Sequence, residues 1–102
     1  MKPNQRPEII RRLRCAAGHL NAVIEMAEAG QPCEQVLHQL NAVKAALHTA
    51  GMKLIICQSQ SSQAIIINSS SAKQRIAELE QLQSLYTIFI QYSNHHSEVS
   101  ND

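Results

Sequence analysis

Aromatic residues are nearly absent from this sequence: among its 102 residues there is no tryptophan, one phenylalanine and two tyrosines. Glycine and proline are scarce too, with three of each, too few for the many tight turns of an all-β chain. A core drawn from the Leu, Ile, Val and Ala that dominate the 44% hydrophobic content suits packed helices. The expected fold class is all-α. No apolar run approaches the ~18 residues that a membrane-spanning helix needs. The N-terminal stretch also lacks the hydrophobic segment of a secretory signal. A cytoplasmic protein with no membrane partner is therefore expected. Cys15, Cys33 and Cys57 are odd in number and far apart, which excludes a disulfide framework, and the lack of a CxxC pair argues against a structural zinc site. There is no glycine-rich phosphate loop and no nucleophile–base pair, so the chain is not expected to be an enzyme.

What the sequence does contain is apolar spacing. Ile9, Leu13, Ala16, Leu20, Val23 and Ala27 step by four and three, one stripe of a helix that starts near Pro7, where a missing N–H does no harm. Gly30 then reads as a helix stop, and Pro32 opens the next helix. Cys33, Val36, Leu40, Val43, Leu47, Ala50, Leu54 and Cys57 form a heptad seam, which predicts a long second helix packed on another helix. That helix is expected to run from Pro32 into the low sixties, with a close helix contact at Gly51. The serines at 69–71 break the pattern, with Ser71 placed to cap a third helix over 72–91 that turns Ile76, Leu79, Leu82, Tyr86 and Phe89 to one side. Residues 1–92 are expected to form one helical domain. Residues 93–102, which include His95 and His96, are expected to be a flexible polar tail.

The short turn at Gly30 makes the first two helices an antiparallel hairpin. The second is the longer arm and leaves apolar surface that a second copy of the chain would cover. Cys33 and Cys57 lie roughly 36 Å apart along one straight helix, so they cannot meet within a chain. In an antiparallel dimer centred on residue 45, Cys33 of one copy approaches Cys57 of the other. Charge is concentrated as well. Formal net charge is only +1, but residues 1–14 carry Lys2, Arg6, Arg11, Arg12 and Arg14 against Glu8 alone. Repeated by oligomer symmetry, that end becomes a surface for a polyanion.

The segment "RLRCAAGHLNAVIEMAEAGQPCEQVLHQLNAVKAALHTAG" resembles the CsoR/RcnR/FrmR family of bacterial ligand-sensitive transcriptional repressors. Arg12 through Leu20 carry its Arg-Leu-x-x-x-x-Gly-His-Leu pattern, Gln39 to Leu47 its Q-[IL]-x-A-V-x-x-A-L pattern, and Ile76 to Leu79 its I-x-E-L pattern. The resemblance implies a three-helix protomer, an antiparallel dimer built as a four-helix bundle, and dimers paired into a tetramer. It also implies binding to operator DNA in the unliganded state through basic residues of the first two helices. On this sequence those are Arg12, with Arg11, Arg14, Lys44 and Lys53 beside it. A second basic position that the resemblance implies is Thr49 here.

The resemblance also implies a sensing site, and here the sequence departs from the pattern. Copper-sensing members join a Cys early in helix two to a His and a Cys late in helix two of the partner chain. Cys33 matches the first, but the others are Gln58 and Ser62, poor ligands for Cu(I). The histidines of nickel and cobalt sensors are absent. Lys2 stands where formaldehyde sensors have a terminal proline, and Ser62 cannot serve as the second thiol of a persulfide sensor. Glu78 matches a carboxylate close to the sensing site. Three readings follow. Cys33 pairs with Cys57 of a second copy, near His19, as a thiol pair that oxidises, takes up sulfur or holds Cu(I), Ni(II) or Zn(II). Cys33 acts alone or with His19 on an electrophile or a metal. Or Cys57 and Cys15 are small buried hydrophobes and Cys33 is a relic. Cys33 differs from the other two in standing at a helix start, where the helix dipole favours an anion. The function expected is a DNA-binding repressor released by a metal or thiol-reactive ligand at a cysteine-centred dimer interface. The alternative is a helical scaffold that has lost sensing and operator binding.

Overall fold

A computed structural model describes the backbone of residues 5–100 and the side chains of residues 5–91. Three helices follow one another: α1 (Arg6–Glu28), α2 (Cys33–Asn68) and α3 (Ala72–Ser100). No strand occurs among the described residues, so the chain is all-α as its composition predicts. No helix is long and apolar enough to cross a membrane among the described residues. The chain divides into two compact units, one ending at Leu54 and the other beginning at Ile55.

In the first unit, α1 opens with Pro7 in its first turn and with Glu8 where the helix dipole favours an acid. It closes on Gly30, whose φ of 73° is the left-handed conformation that glycine adopts without strain. Gly30 donates to the Ala27 carbonyl at 3.1 Å and Gln31 to the Met26 carbonyl at 3.1 Å. These two bonds satisfy the last carbonyls of α1 as a Schellman motif. The chain then re-enters helix at once, with the Pro32 carbonyl accepting from Val36 N–H at 3.1 Å. α1 and the first half of α2 run antiparallel, since His19 meets Gln39 while Arg12 shares a cleft with Thr49.

Ile9, Ala16, Val23, Val43 and Ala50 form the core of this unit. On each helix the buried positions recur every seven residues, so one position of each heptad faces the neighbouring helix. At the other position Leu13, Leu20, Leu47 and Leu54 are exposed in the single chain and Leu40 is half-buried.

The second unit packs the end of α2 against α3. The helix α2 continues through "QSQSSQ" to Asn68, several residues past its expected end, because nothing in that stretch breaks a helix and Ser59 and Ser62 find partners. The connection is held by serines. Ser71 Oγ accepts from Gln74 N–H at 3.2 Å, the expected N-cap. Ser69 Oγ accepts from Ser71 N–H at 3.2 Å and donates to Gln74 Oε1 at 2.8 Å, and Arg75 donates to the Ser69 carbonyl at 2.7 Å.

The face of α3 that packs inward differs from the expected stripe. Arg75, Glu78, Leu82, Leu85 and Phe89 are half-buried, whereas Ile76, Leu79 and Tyr86 are exposed. The helix turns Arg75 and Glu78 inward together with Leu82, Leu85 and Phe89, and Glu78 meets the Ser62 hydroxyl of α2. Helix α3 runs on to Ser100, past the expected end at residue 91, since the sequence there contains no glycine or proline. Of the expected tail at 93–102, residues 101 and 102 and all the side chains, including His95 and His96, lie outside the described residues.

Candidate functional site

Three sets of expected functional residues can be placed. The first is the basic end of α1. Residues spaced three and four apart share a helix face, so Arg11, Arg12, Cys15 and His19 cluster along one flank of α1. With Ala16, and with Ala45, Ala46 and Thr49 from α2, they line a cleft of about 370 Å³. The alanines of α2 leave room there, and the floor between two guanidiniums and an imidazole is apolar. His19 Nε2 lies 2.8 Å from Gln39 Oε1, which orients the ring. Arg14 lines a second cleft of about 340 Å³ with Pro7, Ile10, Arg11 and Cys15. Lys44 is exposed on α2 and Lys53 half-buried, and neither lines these two clefts.

Both guanidiniums of the first cleft are engaged by one carboxylate. Arg11 donates from Nε to Glu8 Oε2 at 3.0 Å and from Nη2 to Glu8 Oε1 at 2.7 Å, a two-pronged pair. Arg12 Nε lies 3.2 Å from Glu8 Oε1, close enough for charge attraction but without hydrogen-bond alignment. The hydrogen bond from Arg11 holds the Glu8 carboxyl below its ordinary range, and Glu8 in turn raises Arg11. Arg11 Nη1 also reaches Cys15 Sγ at 3.9 Å.

The second set is the cysteines, all of them free. Cys33 is the first residue of α2 and is exposed, as is Cys15, while Cys57 is half-buried.

The third set lies in the second unit. Ser62 is fully buried, the one polar side chain so placed among the described residues. Its hydroxyl donates to Glu78 Oε1 at 2.7 Å and accepts from Gln58 Nε2 at 3.1 Å. Tyr86 and Ser59 hydroxyls meet at 3.1 Å on the same pair of helices. Glu78 is thus brought to the two positions, Gln58 and Ser62, that depart from the copper pattern. The seam could not reveal this. Carried past Cys57 it points to Ala64, which is exposed, whereas the inward face of α2 turns to Gln58, Ser59 and Ser62. The available signal was the polar run itself, whose residues recur at helical spacing.

The model of a family described as metal-sensitive transcriptional repressor matches residues 5–87. No curated protein and no solved structure matches the chain. The family description implies a metal, and the donors present decide whether one fits. Among the described residues, no three side chains of His, Cys, Asp or Glu are grouped so as to hold an ion. Gln58 and Ser62 offer a neutral amide and a hydroxyl whose hydrogen bonds are already made. Neither donor suits a soft ion. Gln58 and Ser62 do not fit Cu(I).

Proposed function

Because the chain belongs to the metal-sensitive transcriptional repressor family, we propose that it binds operator DNA through the basic half of α1 and is released when an effector acts at Cys33. The observation that carries the DNA half of this reading is the cleft in which Arg11, Arg12 and His19 converge on Thr49, with Arg14 beside it. Guanidiniums on an exposed helix face are suited to phosphate oxygens. Lys53, one turn after Thr49 on α2, extends the positive surface, whereas Lys44, about 140° around the helix from Thr49, adds charge on another flank.

The working form is an antiparallel dimer, and pairs of dimers make a tetramer in the cytoplasm. Its support is the unused half of each heptad: Leu13, Leu20, Leu47 and Leu54 stand exposed beside a packed core. In that dimer Cys33 of one copy lies near Cys57 of the other, and the effector is a transition metal or a thiol-reactive compound that favours the arrangement unable to bind DNA. Release then follows from the effector's differential affinity, typically ~1–3 kcal/mol of coupling.

A gel-shift with the DNA upstream of the protein's own gene, in reductant and without metal, tests the first half. Binding should weaken steeply as salt rises, and combining Arg12→Ala with Arg14→Ala should abolish it. No binding at low salt would favour the scaffold alternative. For the second half, release is measured after exposure to Cu(I), Ni(II), Zn(II), formaldehyde or polysulfide. Cys33→Ala should respond to none of them, and a wild-type response retained in that variant would rule out Cys33 as the sensing residue.

A further inference from the structure

The polar cluster of the second unit is closed upon itself. Ser62 has one proton to donate and two lone pairs with which to accept. The proton goes to Glu78 and one lone pair to Gln58, across distances of 2.7 and 3.1 Å. Ser62 is 0% exposed, so water does not substitute for these partners. The helices meet again through Ser59 and Tyr86, one turn before Ser62 on α2.

We infer that Gln58, Ser62 and Glu78 form a hydrogen-bonded clasp that fastens α3 to the end of α2 and stands in place of a metal-binding set, so that these three side chains contribute no ligand to a soft metal ion. In the folded chain the donor atoms that a metal would need are already committed to one another, and binding would have to expose Glu78 without its partner. Glu78 would lose a hydrogen bond, and the fully buried Ser62 hydroxyl would be left without its acceptor, which is costly. The same bonds account for the rotation of α3, which turns Glu78 inward while Ile76 and Leu79 stay outside. The inference concerns the unliganded chain and does not depend on operator binding.

The test uses the full chain, reduced and free of metal, at one fixed concentration. Thermal unfolding is compared for wild type, Ser62→Ala and the nearly isosteric Ser62→Cys, whose S–H is a weaker donor. Cu(I) uptake is read by competition with a coloured Cu(I) chelator. Ser62→Ala should lower the melting temperature by roughly 5–10 °C, and Ser62→Cys by less. Ser62→Ala and Gln58→Ala should take the same amount of Cu(I) as wild type, whatever the cysteines bind, while Ser62→Cys should take more. A melting temperature unmoved in both Ser62 variants would overturn the clasp. So would Cu(I) uptake by wild type that falls in Ser62→Ala or Gln58→Ala.

Discussion

In the first unit, burial falls on Ile9, Ala16, Val23, Val43 and Ala50, whereas in the second the side chain buried to the same degree is the hydroxyl of Ser62. Both units are pairs of helices, but they differ in what holds the pair together. Apolar contact is non-directional and tolerates small rotations of one helix on another. A buried hydrogen-bonded pair fixes rotation, because its partners must meet at about 2.8 Å. The second unit therefore gains a defined register, and leaves Ile67, Ile76, Ile88 and Ile90 exposed on the single chain.

That contrast can be broken most directly by truncating an isoleucine in each unit. Ile9 is 1% exposed, and Ile9→Ala should cost ~2–5 kcal/mol of stability. Ile76 is 56% exposed, and Ile76→Ala should stay within about 0.5 kcal/mol. Urea unfolding at matched protein concentration compares them, since an oligomer's stability depends on concentration. Equal losses would mean that Ile76 is covered in solution, and the difference between the units would then belong to the isolated protomer alone.

The two connections differ in the same spirit and should respond less. The turn after α1 depends on one backbone conformation, and Gly30→Ala forces a side chain into φ near 73°, which costs roughly 1–2 kcal/mol. The turn before α3 depends on side-chain oxygens, and Ser71→Ala removes the acceptor for Gln74 N–H at about 1 kcal/mol. Denaturant midpoints measure both. A larger loss in Ser71→Ala than in Gly30→Ala would show that the serine network of Ser69, Gln74 and Arg75 acts as a unit.

The same difference explains which parts of the molecule were legible in the sequence. Heptad spacing is a record of apolar contact, so Val43 and Ala50 were readable from the seam of α2, and Ile9, Ala16 and Val23 from the stripe of α1. Gly30 and Ser71 were readable because left-handed backbone and helix capping each demand particular residue types. The spacing alone did not show that full burial in one protomer falls on alternate seam positions, leaving Leu13 and Leu47 outside. The packing of α3 was less legible. Its apolar residues suggest a face centred on Ile76 and Leu79, yet a single buried hydroxyl on α2 draws Glu78 inward and rotates the helix. A polar contact between helices leaves no period in an apolar pattern. Of the basic cleft, Arg11 and Arg12 were expected from charge and resemblance and the position of Thr49 from resemblance, whereas His19 was expected beside Cys33 and Cys15 was not expected in the cleft.

The smallest expected effect on stability lies at Glu8, and it sharpens the comparison from the side of charge. In the second unit a carboxylate is drawn inward to hold two helices. In the first, the Glu8 carboxylate stays at the surface and occupies two guanidiniums of one helix. Its folded-state pKa is lowered from the ordinary 4.5, chiefly by the hydrogen bond from Arg11. A lowered carboxylate contributes stability above its unfolded pKa and loses that contribution as pH falls through the folded value. Any benefit from this pair should therefore be present at neutral pH and disappear in acid below about pH 4.5, and because the pair is solvated it should be slight. Its larger consequence is for anions. Phosphate must displace Glu8 to engage Arg11 and Arg12 fully, so Glu8→Gln should bind DNA more tightly than wild type. Each further phosphate neutralised should steepen the dependence of log K on log salt by about one. Fluorescence anisotropy across a salt series reads both quantities, and an unchanged slope with unchanged affinity would mean that DNA does not meet these two arginines.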